Sequence, residues 1–358
     1  MIDIQRKFLT GVHCFDIIEP MATLVINRNS ISLNLESDHL VIHRHVIDGD
    51  EPERETLPVK DIDRVLIVGR PAISFSVLVR LMDRGIPCCF MTRGGRWRGI
   101  LKSGLSHNGA RRRLQYERLQ DEAFCLKLAR ELVRSKIRNS RRCLQRLYAN
   151  RQMRVPHNDC WNDLEDSLNA VATVRDLDAL RGVEGMASFC YFRLLGDFFP
   201  DDFLFVTRSR RPPLDPANAL LSFAYTALMN ECLASVELHG LDSAVGFMHQ
   251  DSCHSPALAL DLMESFRSPY ADLLVLNLLN HRRFSAEDFE TEVETGGVYL
   301  TQSGRAKFYP ASEQVLGRKF VPLGESVHVD LRGAIDRQVI VFIKALEEDR
   351  DPVFFRMA

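Results

Sequence analysis

The chain has 358 residues, 46% hydrophobic and 26% charged, with a formal net charge of −2. That length sets an expectation of roughly two domains of about 150 residues, and the composition excludes a disordered or fibrous chain. Nine cysteines, an odd number with no CxxC pair, exclude a disulfide framework and a zinc ribbon and fit a reducing cytoplasm.

Residues 1–20 carry little pattern and are read as an N-terminal extension. Met1 to Lys7 is mixed in charge and the apolar run after it is short, so no secretory signal is expected. From Met21 the chain is strand-like. Thr23–Asn27, Ser30–Leu35 with its polar/apolar alternation, and Leu40–Arg44 read as strands, followed by a polar connection over Asp48–Glu55. Val65–Gly69 reads as a buried strand, Ser74–Arg84 as a helix, and Pro87–Met91 as another strand before the Gly94–Gly95 turn. A β-rich domain is therefore expected over 21–102, with a Gly/Ser/Asn/Arg-rich linker over 103–113.

From 114 to 358 the period becomes helical. A long helix is expected over Leu114–Tyr148, with Phe124, Leu128, Leu132, Ile137 and Leu144 as its apolar stripe. Further helices are read over Leu164–Leu180, Val183–Phe199, Ala217–His239, Ser255–Arg267, Ala271–Asn280 and Asp330–Glu347, the last weakened by Gly333. Gly296–Thr301 reads as one short strand. The apolar run Ala217–Met229 is too short to span a bilayer, and no membrane association is expected. The fold class is α+β, mainly α: a small N-terminal β-rich domain followed by a large all-α catalytic domain.

Charge is uneven along this layout. Between Leu101 and Arg154, 15 Lys/Arg stand against 4 Asp/Glu, a net of +11, which leaves −13 for the rest. A run so little interrupted by acids suggests a surface for a polyanion. Arg111, Arg112, Arg113, Arg134, Lys136, Arg138, Arg141 and Arg142, with Arg208, Arg210 and Arg211 of a second basic stretch, are expected to follow the backbone of such a polyanion without reading its sequence.

One further segment concentrates chemistry. Gly246-Phe247-Met248-His249 precedes Leu258-Ala259-Leu260-Asp261-Leu262-Met263-Glu264-Ser265-Phe266-Arg267. Ser255 as N-cap and Pro256 as first residue would start a helix there, and Asp261, Glu264 and Arg267 would then share a face. Carboxylates among Leu258, Leu260, Leu262, Met263 and Phe266 need a cation or a partner to offset desolvation. A histidine beside them makes a hard divalent ion the natural occupant. Asp251 and His254 are competing ligands, read as loop residues. Glu184, heading the apolar helix after Gly182-Val183, is the third candidate; a glutamate favoured by a helix N-terminus is the competing explanation.

These blocks resemble those of the CRISPR-associated spacer integrase family, the larger, universal endonuclease/integrase of CRISPR adaptation. The resemblance rests on Gly182–Gly185, Pro212–Tyr225, Gly246–His249, Leu258–Arg267, Ala129–Asn139 and Gly297–Thr301, and spans about Met21 to Phe320. It implies a homodimer in which Glu184, His249 and Glu264 bind Mg2+ or Mn2+, Asp261 supports them and Arg267 contacts phosphate. It implies insertion of short DNA fragments into a CRISPR array by 3′-hydroxyl transesterification, in antiviral immunity in the prokaryotic cytoplasm. It also implies a small ferredoxin-like partner that bridges two dimers, and a functional loop at Gln302–Lys307 whose Arg305 and Lys307 approach DNA. The competing readings are a metal-dependent nuclease on branched or single-stranded DNA, and a non-catalytic DNA-binding scaffold.

Overall fold

In the computed structural model of the chain, residues 23–26, 30–44, 53–103, 109–249, 255–324, 326–348 and 350–358 are described. The N-terminal extension and the competing ligands Asp251 and His254 lie outside them. The chain divides into two compact units, Met1–His107 and Asn108–Ala358.

In the first unit, β1 (Thr23–Ile26), β2 (Ile31–Glu36), β3 (His39–Arg44), β4 (Glu53–Pro58), β5 (Arg64–Val68), β6 (Ala72–Ile73), α1 (Phe75–Asp83), β7 (Cys88–Met91) and β8 (Trp97–Leu101) follow in order. One sheet runs β1-β5-β7-β8, the other β4-β3-β2-β6. Ile31 and Leu33 of β2, Leu40 and Ile42 of β3, Val65 and Ile67 of β5, and Val77 and Leu81 of α1 share one core. The alternation read in β2 is what turns Ile31, Leu33 and Leu35 to that core. The strand β4 was expected to be a connection. Its Glu53-Arg54-Glu55 start reads as polar loop, yet it pairs with β3 on one side only and lies at the sheet edge, where charged residues block further pairing.

The second unit carries α2 (Gly109–Arg118), α3 (Glu122–Asn150), α4 (Asp159–Thr173), α5 (Leu177–Gly196), α6 (Pro216–Leu238), α7 (Ala257–Met263), α8 (Leu273–Asn280), β9 (Phe289–Thr291), β10 (Val298–Leu300), α9 (Gln302–Leu316) and α10 (Leu331–Glu348). The expected fold class is what the structure shows. Several boundaries differ. The stretch read as linker is helical from Gly109, and the single long helix is two, because Asp121 caps a new start by accepting from the Ala123 and Phe124 amides. Likewise Asp176 accepts from the Ala179 amide at 2.7 Å and begins α5 where one helix was expected to continue. Gly333 does not weaken α10: its amide donates to Asp330 Oδ1 at 2.7 Å, and a Cβ there would lie 3.1 Å from that oxygen. α6 is long and apolar enough to cross a membrane, but it is largely enclosed by the unit and serves as its core helix.

Candidate active site

The 29-residue α3 brings its buried stripe, Leu128, Leu132, Ile137 and Leu144, against α4, α5 and the helical run that follows α7. That run changes pitch three times. α7 ends at Met263, a tight 3-10 turn covers Glu264–Phe266, a wide π turn covers Arg267–Asp272, and α8 continues. Neither Ser255 nor Pro256 starts it as expected: the helix begins at Ala257, Pro256 holds the cap position, and no side chain caps it.

Asp261 is fully buried and its two oxygens are saturated. Oδ2 accepts the Phe247 and Met248 amides at 2.7 and 3.0 Å, and Oδ1 accepts the His249 amide at 3.0 Å and faces its Nδ1 at 2.6 Å. The carboxylate thus folds the loop 247–249 around itself and fixes the imidazole. Gly246 is required for this approach, because a Cβ there would lie 2.6 Å from Asp261 Oδ2. On the far side of the loop, Arg181 of α5 donates to the Met248 carbonyl at 2.7 Å. The hydrogen bond with Asp261 raises the His249 pKa, against the lowering by burial. With Nδ1 committed, Nε2 is the nitrogen left for a ligand bond.

Glu264 and Glu184 converge on one positive charge. Lys136 Nζ pairs with Glu184 Oε1 and lies 2.6 Å from Glu264 Oε2. Ser188, one turn along α5, donates to Glu184 Oε1 at 2.8 Å. Burial pushes the Glu184 carboxyl up, but the Lys136 ammonium and the Ser188 hydroxyl outweigh it and hold the group at about 2. Glu264 is almost wholly buried; burial raises its pKa, and Arg267 and Lys136 together bring it below the ordinary value. Its Oε1 faces Arg267 Nη2 at 2.9 Å, while Oε2 is buried with no well-directed hydrogen bond. Glu184 is the eighth residue of α5, so attraction to a helix N-terminus does not account for it.

Behind these residues lies a cluster that the sequence pattern did not reveal. The Arg267 guanidinium sits 4.9 Å from the Tyr225 ring centre and that of Arg208 sits 5.4 Å from it. The Tyr225 and Tyr191 hydroxyls both donate to Asp272, whose carboxyl burial pushes up to about 6. An acidic residue five positions beyond Arg267 with tyrosines on two apolar helices is a weak signal, and the π turn that aims Asp272 inward has no sequence signature.

The expected DNA-contacting cations divide into three groups. Lys136 belongs to the site. Arg208 is half-buried and donates to Asn218 Oδ1 at 2.7 Å and Ser222 Oγ at 3.0 Å. Arg111 and Arg112 donate to the His239 and Gly240 carbonyls, Arg134 pairs with Glu131, and Arg141 with Glu165 at 3.3 Å. Arg113, Arg138, Arg142, Arg210 and Arg211 are exposed. The stretch 302–307 is no loop: it opens α9, where Thr301 accepts from the Gly304 amide, Arg305 donates to the Leu300 carbonyl and Lys307 pairs with Asp288 at 2.7 Å.

The family model described as CRISPR associated protein Cas1 matches residues 24–314. The chain belongs to the Cas1 family. It is 36% identical over 297 residues to the CRISPR-associated endonuclease Cas1 1 of Thermodesulfovibrio yellowstonii, covering 82% of this chain and 91% of that one. Its fold is also that of a casposase bound to integration product, at a TM-score of 0.76, 23% identity and 93% of each chain. A Cas6-RT-Cas1–Cas2 complex matches at a TM-score of 0.73 and 23% identity, over 96% of this chain and 37% of that one. The Cas1 match takes in Glu184, His249, Asp261, Glu264 and Arg267, but ends before α10.

Proposed function

We propose that this chain is a metal-dependent DNA integrase that joins short DNA fragments to a CRISPR array, the reaction being transesterification by a fragment's 3′-hydroxyl. The observation that carries the reading is the convergence of Glu184 and Glu264 on a single cation, with a buried oxygen of Glu264 lacking a well-directed hydrogen bond. Two hard oxygens beside an oriented imidazole fit Mg2+ or Mn2+, and the Lys136 ammonium marks where positive charge is stable. Among the described residues this arrangement, with the ammonium between the acids, forms no ready cluster of three ligands. Loading would therefore require Lys136 to yield its place. A bound divalent ion supplies Lewis-acid polarisation of a phosphate and a lower pKa for a hydroxyl.

The chain's own groups do the rest. Asp261 holds His249 in one orientation and in one tautomer. Arg267, half-buried with an unpartnered Nε, offers a donor to a phosphate oxygen next to Glu264. Arg113, Arg138, Arg142, Arg210 and Arg211 supply exposed charge for the DNA backbone, a contact that weakens with salt. The curated relatives' endonuclease name and the casposase's integration product support DNA as substrate, and the Cas6-RT-Cas1–Cas2 complex supports a second Cas protein as partner. A homodimer, the ferredoxin-like nature of that partner, and a prokaryotic cytoplasmic location complete the proposal.

The test supplies a supercoiled array plasmid, a 3′-labelled duplex, the partner protein and Mn2+. Joined label that disappears in His249→Ala and Glu264→Gln, with DNA binding retained, is expected. Shortened DNA without joining would instead make the chain a nuclease using water as nucleophile. Joining at the wild-type level by both variants would remove the site from the reaction.

A further inference from the structure

The segment Val353–Ala358 lies beyond the residues that the family model matches, and it is bound to the active site's backbone. Asn139, on α3 one turn from Lys136, is buried and makes three bonds. Its Nδ2 donates to the Ser265 carbonyl at 2.7 Å and to the Phe355 carbonyl at 3.0 Å, and its Oδ1 accepts the Met357 amide at 2.8 Å. Gln338, buried on α10, mirrors it: Nε2 donates to the Leu262 carbonyl and Oε1 accepts the Phe355 amide at 3.0 Å. Two amide side chains therefore join the backbone of Phe355 to the carbonyls on either side of Glu264.

Those carbonyls sit where the helix changes pitch. A regular helix would give the Ser265 carbonyl the amide of residue 269, but residue 269 is proline and has none. The Asn139 amide takes its place. Rings close the arrangement: Phe355 stacks on Phe266 at 4.6 Å, and Phe354 lies parallel to Phe247 at 6.3 Å. The segment thus touches both the glutamate turn and the histidine loop. Pitch changes of this kind concentrate at functional sites.

We propose that Phe355, its backbone held by Asn139 and Gln338 and its ring stacked on Phe266, is a positioning residue that sets the pitch of the turn at Glu264 and so aims its carboxylate at Glu184. The proposal rests on the reading of Glu184, His249 and Glu264 as a metal site. It is tested in the full-length chain with Phe355→Ala, Phe355→Leu and the exposed neighbour Val353→Ala, by Mn2+ affinity from electron paramagnetic resonance, strand transfer well below the melting temperature, and the melting temperature itself. Phe355→Ala is expected to weaken both Mn2+ binding and strand transfer by roughly 10-fold or more, as loss of a group that orients a metal ligand does. Phe355→Leu restores part of both, and Val353→Ala changes neither. A melting temperature lowered by Phe355→Ala or Phe355→Leu, with Mn2+ affinity and strand transfer at the wild-type level, would make the segment a stabilising strap and overturn the proposal. Glu264→Gln is run alongside: its binding Mn2+ as the wild type does would overturn the site reading itself, and this inference with it.

Discussion

Two places in the helical unit have the same formula and opposite character: a buried cation shared by two glutamates. In one, Arg332 of α10 meets Glu231 of α6 at 3.1 and 3.0 Å and Glu313 of α9 at 2.8 Å, a two-pronged contact and a third bond that tie three helices together. In the other, the Lys136 ammonium meets Glu184 and Glu264, and one oxygen of Glu264 lacks a well-directed hydrogen bond. A guanidinium offers a rigid fork that matches carboxylates and stays charged. An ammonium is a compact point charge on a flexible stem, which another cation can replace. The first triad has the character of a brace and the second that of a socket.

The largest expected effect breaks the brace. Arg332→Met leaves Glu231 and Glu313 facing each other without their cation, and the loss of one member of a buried pair costs about 3–5 kcal/mol. Urea unfolding should show it, while strand transfer in the cold persists. A small shift in the unfolding midpoint would mean that the two glutamates find other partners, and that the contrast drawn here is false.

Lys136→Met probes the socket and should cost less, about 1–3 kcal/mol without metal, because Glu184 keeps the Ser188 hydroxyl and Glu264 keeps Arg267. Mn2+ should then raise the melting temperature of the variant by more than it raises that of the wild type. The pH response has a definite sign. Glu184 is held low, so its stabilisation is present above the ordinary carboxylate range and is lost as pH falls towards about 2. Without the ammonium, burial and the neighbouring Glu264 raise both carboxyls. As pH falls from neutral to about 5, the metal-free variant should therefore gain more stability than the wild type does. Equal Mn2+ responses in the two proteins would place the ion elsewhere.

The same contrast shows what could be read from the chain and what could not. The order of a strand-rich region and a helical one follows from hydrophobic period, a property of neighbouring residues. The ligand candidates Glu184, His249 and Glu264 were legible as acids and an imidazole in apolar surroundings, helped by family blocks. Lys136 was legible only as one more cation in a basic run, because sequence period does not tell which side of α3 meets Glu184, 48 positions away. The edge strand β4, the capped break at Asp121 and the pitch changes around Pro269 depend on single side chains meeting backbone groups. Asp272 became part of the site only because the π turn aims it inward, and Asn139 because Pro269 leaves the Ser265 carbonyl to its amide.

The smallest expected effect refines the socket through its imidazole. The hydrogen bond from His249 Nδ1 to Asp261 raises the histidine pKa, and Glu264 adds to it. The stability from that pairing is fully present below the ordinary imidazole pKa and is lost as pH rises through the raised value. Metal binding runs the other way, since only the neutral ring offers Nε2 as a ligand. Strand transfer at fixed, sub-saturating Mn2+ should therefore climb with pH through the raised value, while the metal-free protein loses a small part of its stability over the same range. An NMR titration of His249 in the metal-free protein locates that range. In Glu264→Gln the midpoint should move down, by less than Asp261→Asn moves it, because the hydrogen bond outweighs the more distant charge. A midpoint unmoved by Glu264→Gln would mean that the imidazole and this carboxylate do not share a field, and the socket would lose its third wall.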